Sequence, residues 1–573
     1  MEGPWTFLLF ILIVSYMQLI ECVPNFSEGN DMEIIRQITA VIENTVEVRL
    51  LNVDPGKATN RTVVTFVGSP AHVVEAAFQA IKKAGELIDM SKHKGAHPRM
   101  GATDVCPLIP IANISMEETA AWAVKLAKRV GDELQLPIYL YEAAQPNTNR
   151  NNLSIIRAGE YEGFFKKIHL PEWKPDFGPA TMDAKRGATV IGARDFLVAY
   201  NVNLNTTSTR RANAIAFDVR EAGRVKKENG KPVKDANGEP VHIPGSLKFV
   251  KAIGWYIEEY GIAQISINLT NISQTPVHIA FDECCLKATE RGVRVTGSEL
   301  VGLIPLKAML DAGKYFLLKQ KRSIGVSEKE LIKIAIKSMG LDEIAPFKPQ
   351  ERIIEYMLTK KEDSKLVRMS LLDFADETAS ESPAPGGGSI SAYVGALGAS
   401  LGTMVANLSA HKPGWDEQWQ VFSDWAAKGQ ACKQELLRLV DADTAAFNKI
   451  MEAFALPKST AEEKAQRTAA IQTATRFAIE IPFKVMETAA AAMDLLHAMV
   501  LNGNPNSVTD AGVGVLCIRA AVMGAFMNVR INATGYQDKA FVADIITKGR
   551  AIEAEVMAAE INILAILNEK IGI

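Results

Sequence analysis

The 573-residue sequence predicts a multidomain protein in which two α/β (α+β, sheet-and-helix) subdomains precede an all-α helical bundle. Three observations predict it. Up to residue 196, short β-rich runs alternate with longer helical periods, as expected of a sheet with helices laid on it. Residues 197–358 repeat that alternation. Past a charged stretch from Thr359 to Lys365, strand signals stop and long helical periods take over. The boundaries expected are an N-terminal extension (1–16), subdomains at 17–196 and 197–358, a linker at 359–366 and a helical domain at 367–573. The length fits roughly three or four domains. A net charge of -3 points to no nucleic-acid partner, and 48% hydrophobic residues is ordinary for a soluble globular chain.

The first sixteen residues do not fit that plan. Phe7 to Val14 is strongly apolar, but no basic segment precedes it and no small-x-small cleavage site follows. The run is shorter than the ~20 residues a spanning helix needs. From Met17 the chain reads as the opening strand of a globular domain. The favoured reading is therefore that residues 1–16 are foreign to the working protein and that translation starts at Met17; a membrane anchor is the alternative. The six cysteines (22, 106, 284, 285, 432, 517) have no CxxC or zinc spacing, which predicts no metal, reduced thiols and a cytoplasmic location.

In the first subdomain, strands are expected at Val46–Val53, Thr62–Val67, Val105–Ile111 and Ile138–Leu140, and helices at Met32–Ile42, Ala71–Leu87 and Met116–Leu134. Between the first two strands lies a polar turn, Asp54 to Arg61, whose charged ends either face the next loop or only cap the turn.

That next loop is the chemically richest stretch. Residues 92–107 contain two of the eight histidines, His93 and His97, among Lys92, Lys94 and Arg99. Gly95, Pro98 and Gly101 exclude regular structure, and the apolar strand that follows would hold the loop in place. Histidine titrates near neutral pH, and neighbouring cations would attract an anion and lower the imidazole pKa. The competing reading is a basic surface loop with locally bonded histidines. A second loop, 178–187 (Gly178, Pro179, Ala180, Thr181, Met182, Asp183, Ala184, Lys185, Arg186, Gly187), reads as a flexible polar segment, able to wrap a flat polar ligand or merely to connect.

In the second subdomain, strands Phe196–Leu204 and Ile262–Leu269 flank a charged helix, Arg210–Glu221. The polar insertion 224–242, with Asn229-Gly230 and Asn237-Gly238, predicts an exposed hairpin. The stretch from Gly297 to Pro305 weakly echoes Gly101 to Pro110, which hints at related subdomains.

In the helical part, long helices are expected at Glu417–Met451, Ala461–Asn502 and Asp510–Asn532. Gly386, Gly387 and Gly388 open a helix that carries no charge as far as Ala410; Gly395, Gly398 and Gly402 favour a tightly packed bundle helix over a spanning one. The glycine turn is either an anion cradle at a helix N-terminus or a simple tight turn. Asp441 and Asp443 lie on one helix two residues apart, so they cannot face the same way. One can be solvated while the other points inward, where burial would raise its pKa and let it move protons; the alternative is that both are ordinary surface aspartates.

Glu21-Cys-Val-Pro-Asn-Phe-Ser-Glu-Gly29, His93 to Gly101 and Gly159-Glu-Tyr-Glu162 resemble the formiminotransferase half of the formimidoyltransferase-cyclodeaminase family. Ala384 to Ser389, Asp441-Ala-Asp443 and Asn528 to Asn532 resemble its cyclodeaminase half. The likeness runs in order from Met17 almost to Ile573. It implies a bifunctional folate enzyme of histidine degradation: N-formimino-L-glutamate would give its formimino group to tetrahydrofolate, with or without a polyglutamate tail, and the product would cyclise to 5,10-methenyltetrahydrofolate with release of ammonia. It further implies that His97 is the transferase acid/base, that 178–187 contacts folate, that Asp443 is the cyclodeaminase carboxylate, that no metal takes part and that the protein is a homo-oligomer, an octamer. Two rivals stand beside it: a transferase whose helical half only oligomerises, and a tethered scaffold without catalysis.

Overall fold

A computed structural model describes residues 18–56, 60–95, 98–235, 238–358 and 366–572. The expectations for residues 1–16, for most of the linker and for His97 lie outside them. The chain forms two compact units. One runs to Ala308 and takes in Met339–Leu358; the other comprises Met309–Ser338 and everything beyond Leu358.

In the first unit, β1 (Leu19–Cys22) and β2 (Asn25–Phe26) are two halves of one strand interrupted at Val23-Pro24. They lie between β4 (Arg61–Gly68) and β5 (Thr103–Ala112), antiparallel to both, and β3 (Val48–Gly56) flanks β4. Beyond β5, β7 (Thr189–Ala193) and β6 (Ile138–Glu142) extend the sheet in parallel. Alternation sets the two faces. Ile20, Cys22, Cys106, Leu108, Ile138, Leu140 and Ile191 pack under the helices Met32–Glu43, Pro70–Leu87 and Met116–Leu134. Val105, Tyr139, Tyr141 and Val190 face the other way, with Ile156 and Phe164. Helix starts carry their own local signals: Asp31 accepts from the N–H groups of Glu33 and Ile34, and Ser115 with Glu118 forms a capping box.

The second sheet has the order β13-β14-β8-β15, where β8 is Val198–Leu204, β13 Val250–Ile257, β14 Ile262–Leu269 and β15 Val295–Val301. The insertion is a hairpin as expected, pairing His242–Ile243 with Arg224–Val225 and, further out, Lys231–Pro232 with Lys227–Glu228. Without that hairpin, the second subdomain runs strand, helix, strand, strand, helix, strand, and the first opens with the same run (β1 and β2 counted as one strand), with the second, third, first and fourth strands side by side in each. The echo between Gly101–Pro110 and Gly297–Pro305 falls on β5 and β15, the fourth strand of each.

In the second unit the helices beyond residue 370 are Leu371–Ala379, Gly387–Ala410, Trp419–Ala455, Ala461–Ala490, Met493–Asn502, Val508–Ala533 and Lys539–Ile571, and the segment 309–338 adds most of Leu306–Lys319 and of Glu328–Met339. Four features depart from the sequence reading. Ala461–Asn502 is two helices that break at Ala491-Ala492, where no residue signals a stop; the turn lets Leu495, Leu496, Met499 and Val500 reach the core. Leu371–Ala379 and Lys539–Ile571 were not anticipated, although Ser370 and Asp538 cap their starts and Gly572 ends the second in the left-handed region. The segment 309–338, read with the second sheet, packs instead on the bundle: Asn407 donates to the Gly325 carbonyl at 2.8 Å, and the Ile324 N–H donates to Ser423 at 3.1 Å.

Gly387–Ala410 and Pro505–Ala533 are long and apolar enough to cross a membrane. Within the unit, 61% of the first one's most apolar window is buried, which fits a packed helix. At Gly398 a Cβ would stand 2.9 Å from the Gly514 carbonyl, so these two helices touch backbone to backbone.

Candidate functional site

The first cluster surrounds the histidine loop. His93 Nε2 lies 2.8 Å from the Asn60 carbonyl, and the Asn60 amide donates to the Lys94 carbonyl at 2.9 Å. The loop is thus tied to the start of β4. The field of free cations expected there is largely neutralised. Lys92 pairs with Asp89, and the buried Arg99 grips Glu162 through both terminal nitrogens (2.7 and 2.9 Å) and Glu160 through one (3.0 Å). Those ion pairs hold the Glu162 carboxyl below the usual carboxylate range and push the Arg99 guanidinium up. Glu160 and Glu162 were singled out only as part of a motif; the fold makes them counter-ions to the loop.

The 178–187 loop is pinned, where the sequence suggested flexibility. Gly178 and Gly187 both have positive φ, and a Cβ on either would overlap a carbonyl oxygen (of Leu136 and Met100). Asp183 accepts from the N–H groups of Lys185 and Arg186 and pairs with Arg186 Nε at 2.7 Å. The carbonyls of Ala184, Lys185 and Arg186 accept from the Tyr161 hydroxyl, the Met90 N–H and the Ala102 N–H. Lys185 and Arg186 spend their side chains on the carbonyls of Glu86 and Leu134. Met182 packs against both apolar clusters, while Thr181, Ala184 and Lys185 are exposed. The loop is therefore a clamp that seats Met90 and Met100–Ala102 and turns a short polar edge outward. Beneath it, the fully buried Asp104 accepts from the Met100 N–H (3.0 Å) and from Arg157 (2.6 Å), with Arg61 as a further neighbouring charge. Burial still raises its pKa.

A second polar set was missed in sequence. On the face of the first sheet away from its helices, burial lifts Glu21 to about 7 despite the nearby charge of Arg194. The same arginine lies by Tyr141 and Glu142, and Lys251 of the second sheet adds positive charge at Glu142. On the second sheet, Trp255 donates to Gln264 (3.1 Å), Gln264 to Asn203 (2.8 Å) and Asn201 to Glu299 (3.3 Å). The amide nitrogen of Asn203 is buried without a partner. The alternation Asn201-Val-Asn203-Leu was the available signal, a strand with one polar face.

In the helical unit, Asp443 lies against the first turn of the Gly387–Ala410 helix. Its carboxyl accepts from the Ser389 hydroxyl at 3.0 Å and from the Ser389 N–H. Room for it exists because residue 388 is glycine: a Cβ there would stand 2.2 Å from Oδ1. Asn528 approaches Gly387 from the Val508–Ala533 helix. Burial raises the Asp443 pKa, and the two bonds from Ser389 only partly oppose that; the helix N-terminus also favours the anion. The glycine turn thus cradles a carboxyl that the chain itself supplies. Asp441 turns elsewhere, accepting from the Leu366 N–H at 2.9 Å and from that of Val367. Neither aspartate is a freely solvated surface residue, because each has its own backbone donors. Among the described residues, no group of three or more His, Cys, Asp or Glu is arranged to hold a metal ion.

The chain matches three family models: "Formiminotransferase domain, N-terminal subdomain" over 19–194, "Formiminotransferase domain" over 199–359 and "Formiminotransferase-cyclodeaminase" over 370–551. It is similar to the formimidoyltransferase-cyclodeaminase of Gallus gallus, at 42% identity over 96% of this chain and 99% of the relative. It is similar to that of Mus musculus at 43% identity over 91% and 94%. The glutamate formimidoyltransferase of Thermoplasma acidophilum is 42% identical over 52% of this chain and 93% of its own length.

Proposed function

Because the chain belongs to the formimidoyltransferase-cyclodeaminase family, we propose that it carries out two consecutive folate reactions. In the first, the formimino group of N-formimino-L-glutamate passes to N5 of tetrahydrofolate and glutamate leaves. In the second, 5-formiminotetrahydrofolate closes to 5,10-methenyltetrahydrofolate and ammonia leaves. Residues 17–196 and 197–358 form the transferase, 359–366 the linker and 367–573 the cyclodeaminase.

In the transfer, attack by N5 on the formimino carbon gives a tetrahedral adduct. Its collapse needs a proton on the departing glutamate nitrogen, a task for a group that titrates near neutrality, and His97 takes that role. The exposed edge of 178–187 contacts folate. In the ring closure, N10 attacks the same carbon of the protonated formimino group. Asp443 takes the proton that N10 loses and gives it to the amino nitrogen, which departs as ammonia with the electron pair of the broken C–N bond. The observation that carries this reading is the half-buried Asp443 carboxyl itself, seated against Gly388 in the first turn of the Gly387–Ala410 helix and held there by the Ser389 hydroxyl and N–H. The protein works as a cytoplasmic homo-octamer in histidine degradation, takes tetrahydrofolate as co-substrate and needs no metal.

The test is Asp443→Asn in the full chain, supplied with formiminoglutamate and tetrahydrofolate. The variant makes 5-formiminotetrahydrofolate and neither methenyl product nor ammonia. Asp441→Asn keeps its turnover per folded protomer but weakens the anchoring of Leu366 and Val367. Ammonia release at the wild-type rate by Asp443→Asn refutes the assignment.

A further inference from the structure

We infer that Ser389 is the positioning residue of the ring-closing site: its hydroxyl holds the Asp443 carboxyl in one place whether that group is ionised or protonated. The inference rests on the reading of Asp443 as the proton carrier and adds to it the device that keeps the carrier still.

Ser389 is fully buried, so no water can substitute for it. Three oxygens surround its Oγ: the Val440 carbonyl at 2.9 Å, Asp443 Oδ2 at 3.0 Å and Thr444 Oγ1 at 3.2 Å. The serine has one proton to give and can accept others, whereas the carbonyl only accepts. When Asp443 is ionised, Ser389 donates to Oδ2 and Thr444 can donate to Ser389. When Asp443 is protonated, its O–H donates to Ser389, whose own proton turns to the Val440 carbonyl. The two states differ by a rotation about the Cβ–Oγ bond. The Ser389–Asp443 bond persists in both, and no buried polar atom is stranded.

No charged side chain competes for the carboxyl among the described residues. The Gly387–Ala410 helix has no Asp, Glu, Lys or Arg. On the helix of Asp443, Asp441 is engaged with Leu366 and Val367 near Arg368, and Lys449 lies over the Phe477 ring. On the Ala461–Ala490 helix, Arg476 pairs with Glu480 and Lys484 with Glu487. On the Val508–Ala533 helix, Arg530 lies over Phe526, and Asn528 is the polar group nearest the turn. The proton balance of the step is closed by these residues: one proton leaves N10 for Asp443 and the same proton leaves Asp443 on ammonia, so the carboxylate is restored. A carboxyl that swung away between the two transfers would lose that economy of motion, at a cost of roughly 10²-fold for a displacement of about 1 Å.

The test uses the full chain and supplied 5-formiminotetrahydrofolate. In Ser389→Ala the ionised carboxyl loses a donor. The acid limb of the kcat profile then moves up by about one pH unit and kcat falls at least about tenfold, while KM and formimino transfer stay unchanged. Ser389→Cys keeps the size and offers a weaker donor, so its limb lies between the two. A lower kcat with the acid limb unmoved assigns Ser389 to tying two helices together and overturns the inference, and so does loss of folding in both variants. If Asp443→Asn itself retains ammonia release, the functional reading fails first; if that variant is inactive and the Ser389 limb is unmoved, this inference fails alone.

Discussion

Gly388→Ala tests the ring-closing site without removing any functional group. The new Cβ would lie 2.2 Å from Asp443 Oδ1 and 2.5 Å from its Cγ. Ordinary contact needs about 3.5 Å, so the carboxyl must retreat by roughly 1 Å. That retreat breaks the 3.0 Å bond from Ser389. In helix propensity alone, alanine is better than glycine by about 1 kcal/mol, while overpacking costs about 1–3 kcal/mol. The two nearly cancel, because Asp443 is a side chain that can rotate, so folding should change little. Catalysis has no such compensation: a proton carrier about 1 Å out of place loses on the order of 10²-fold. The assay supplies 5-formiminotetrahydrofolate and follows methenyl absorbance and ammonia, with thermal melting beside it. Expected are a Tm within a few degrees of wild type, ring closure down about a hundredfold, and unchanged formimino transfer. Wild-type ring closure by the folded variant would refute the argument that the glycine exists to admit this carboxylate.

In His97→Ala, formimino transfer falls by about 10²–10⁴-fold, the range for a missing acid/base, while ring closure of supplied intermediate is unaffected; transfer at the wild-type rate removes His97 from the mechanism. Glu21 makes a stability prediction. Its carboxyl is lifted from 4.5 to about 7, so the folded chain keeps a proton that the unfolded chain releases. Stability from this group is therefore intact below about pH 4.5, is lost as pH rises through 7 and is flat beyond, a total of about 3 kcal/mol. Glu21→Gln should flatten that part of the profile, seen as a smaller difference in urea midpoint between pH 5 and pH 8 than in wild type; equal differences would exclude it.

The sequence by itself determined what depends on near neighbours along the chain. Periodicity placed β4, β5 and the Met116–Leu134 helix within a residue or two of where they lie, because a strand or helix with one buried face must repeat apolar residues at its own pitch. The change to an all-helical half, the 224–242 hairpin and the helix opening at the glycine turn were legible for the same reason. The candidate residue types were visible too, a histidine among cations and an aspartate among apolar neighbours, but local pattern left each equally open to a surface or structural reading.

Pairing across long stretches of chain was decided only by the tertiary structure. Arg99 reads as a free cation until the fold brings Glu160 and Glu162 to it from some sixty residues away. The 178–187 loop reads as flexible until Met90, Ala102 and Tyr161 supply its bonds. Two aspartates of one helix can be told apart only by what faces them, Leu366 and Val367 for Asp441 and the buried hydroxyl of Ser389 for Asp443. The placement of 309–338 on the bundle likewise hangs on the Gly325 carbonyl, which Asn407 finds across 82 residues. Local pattern fixes the backbone's pitch and the face each residue presents; the partner on that face, and with it the charge and proton affinity of the site, is set by chain segments the pattern cannot see.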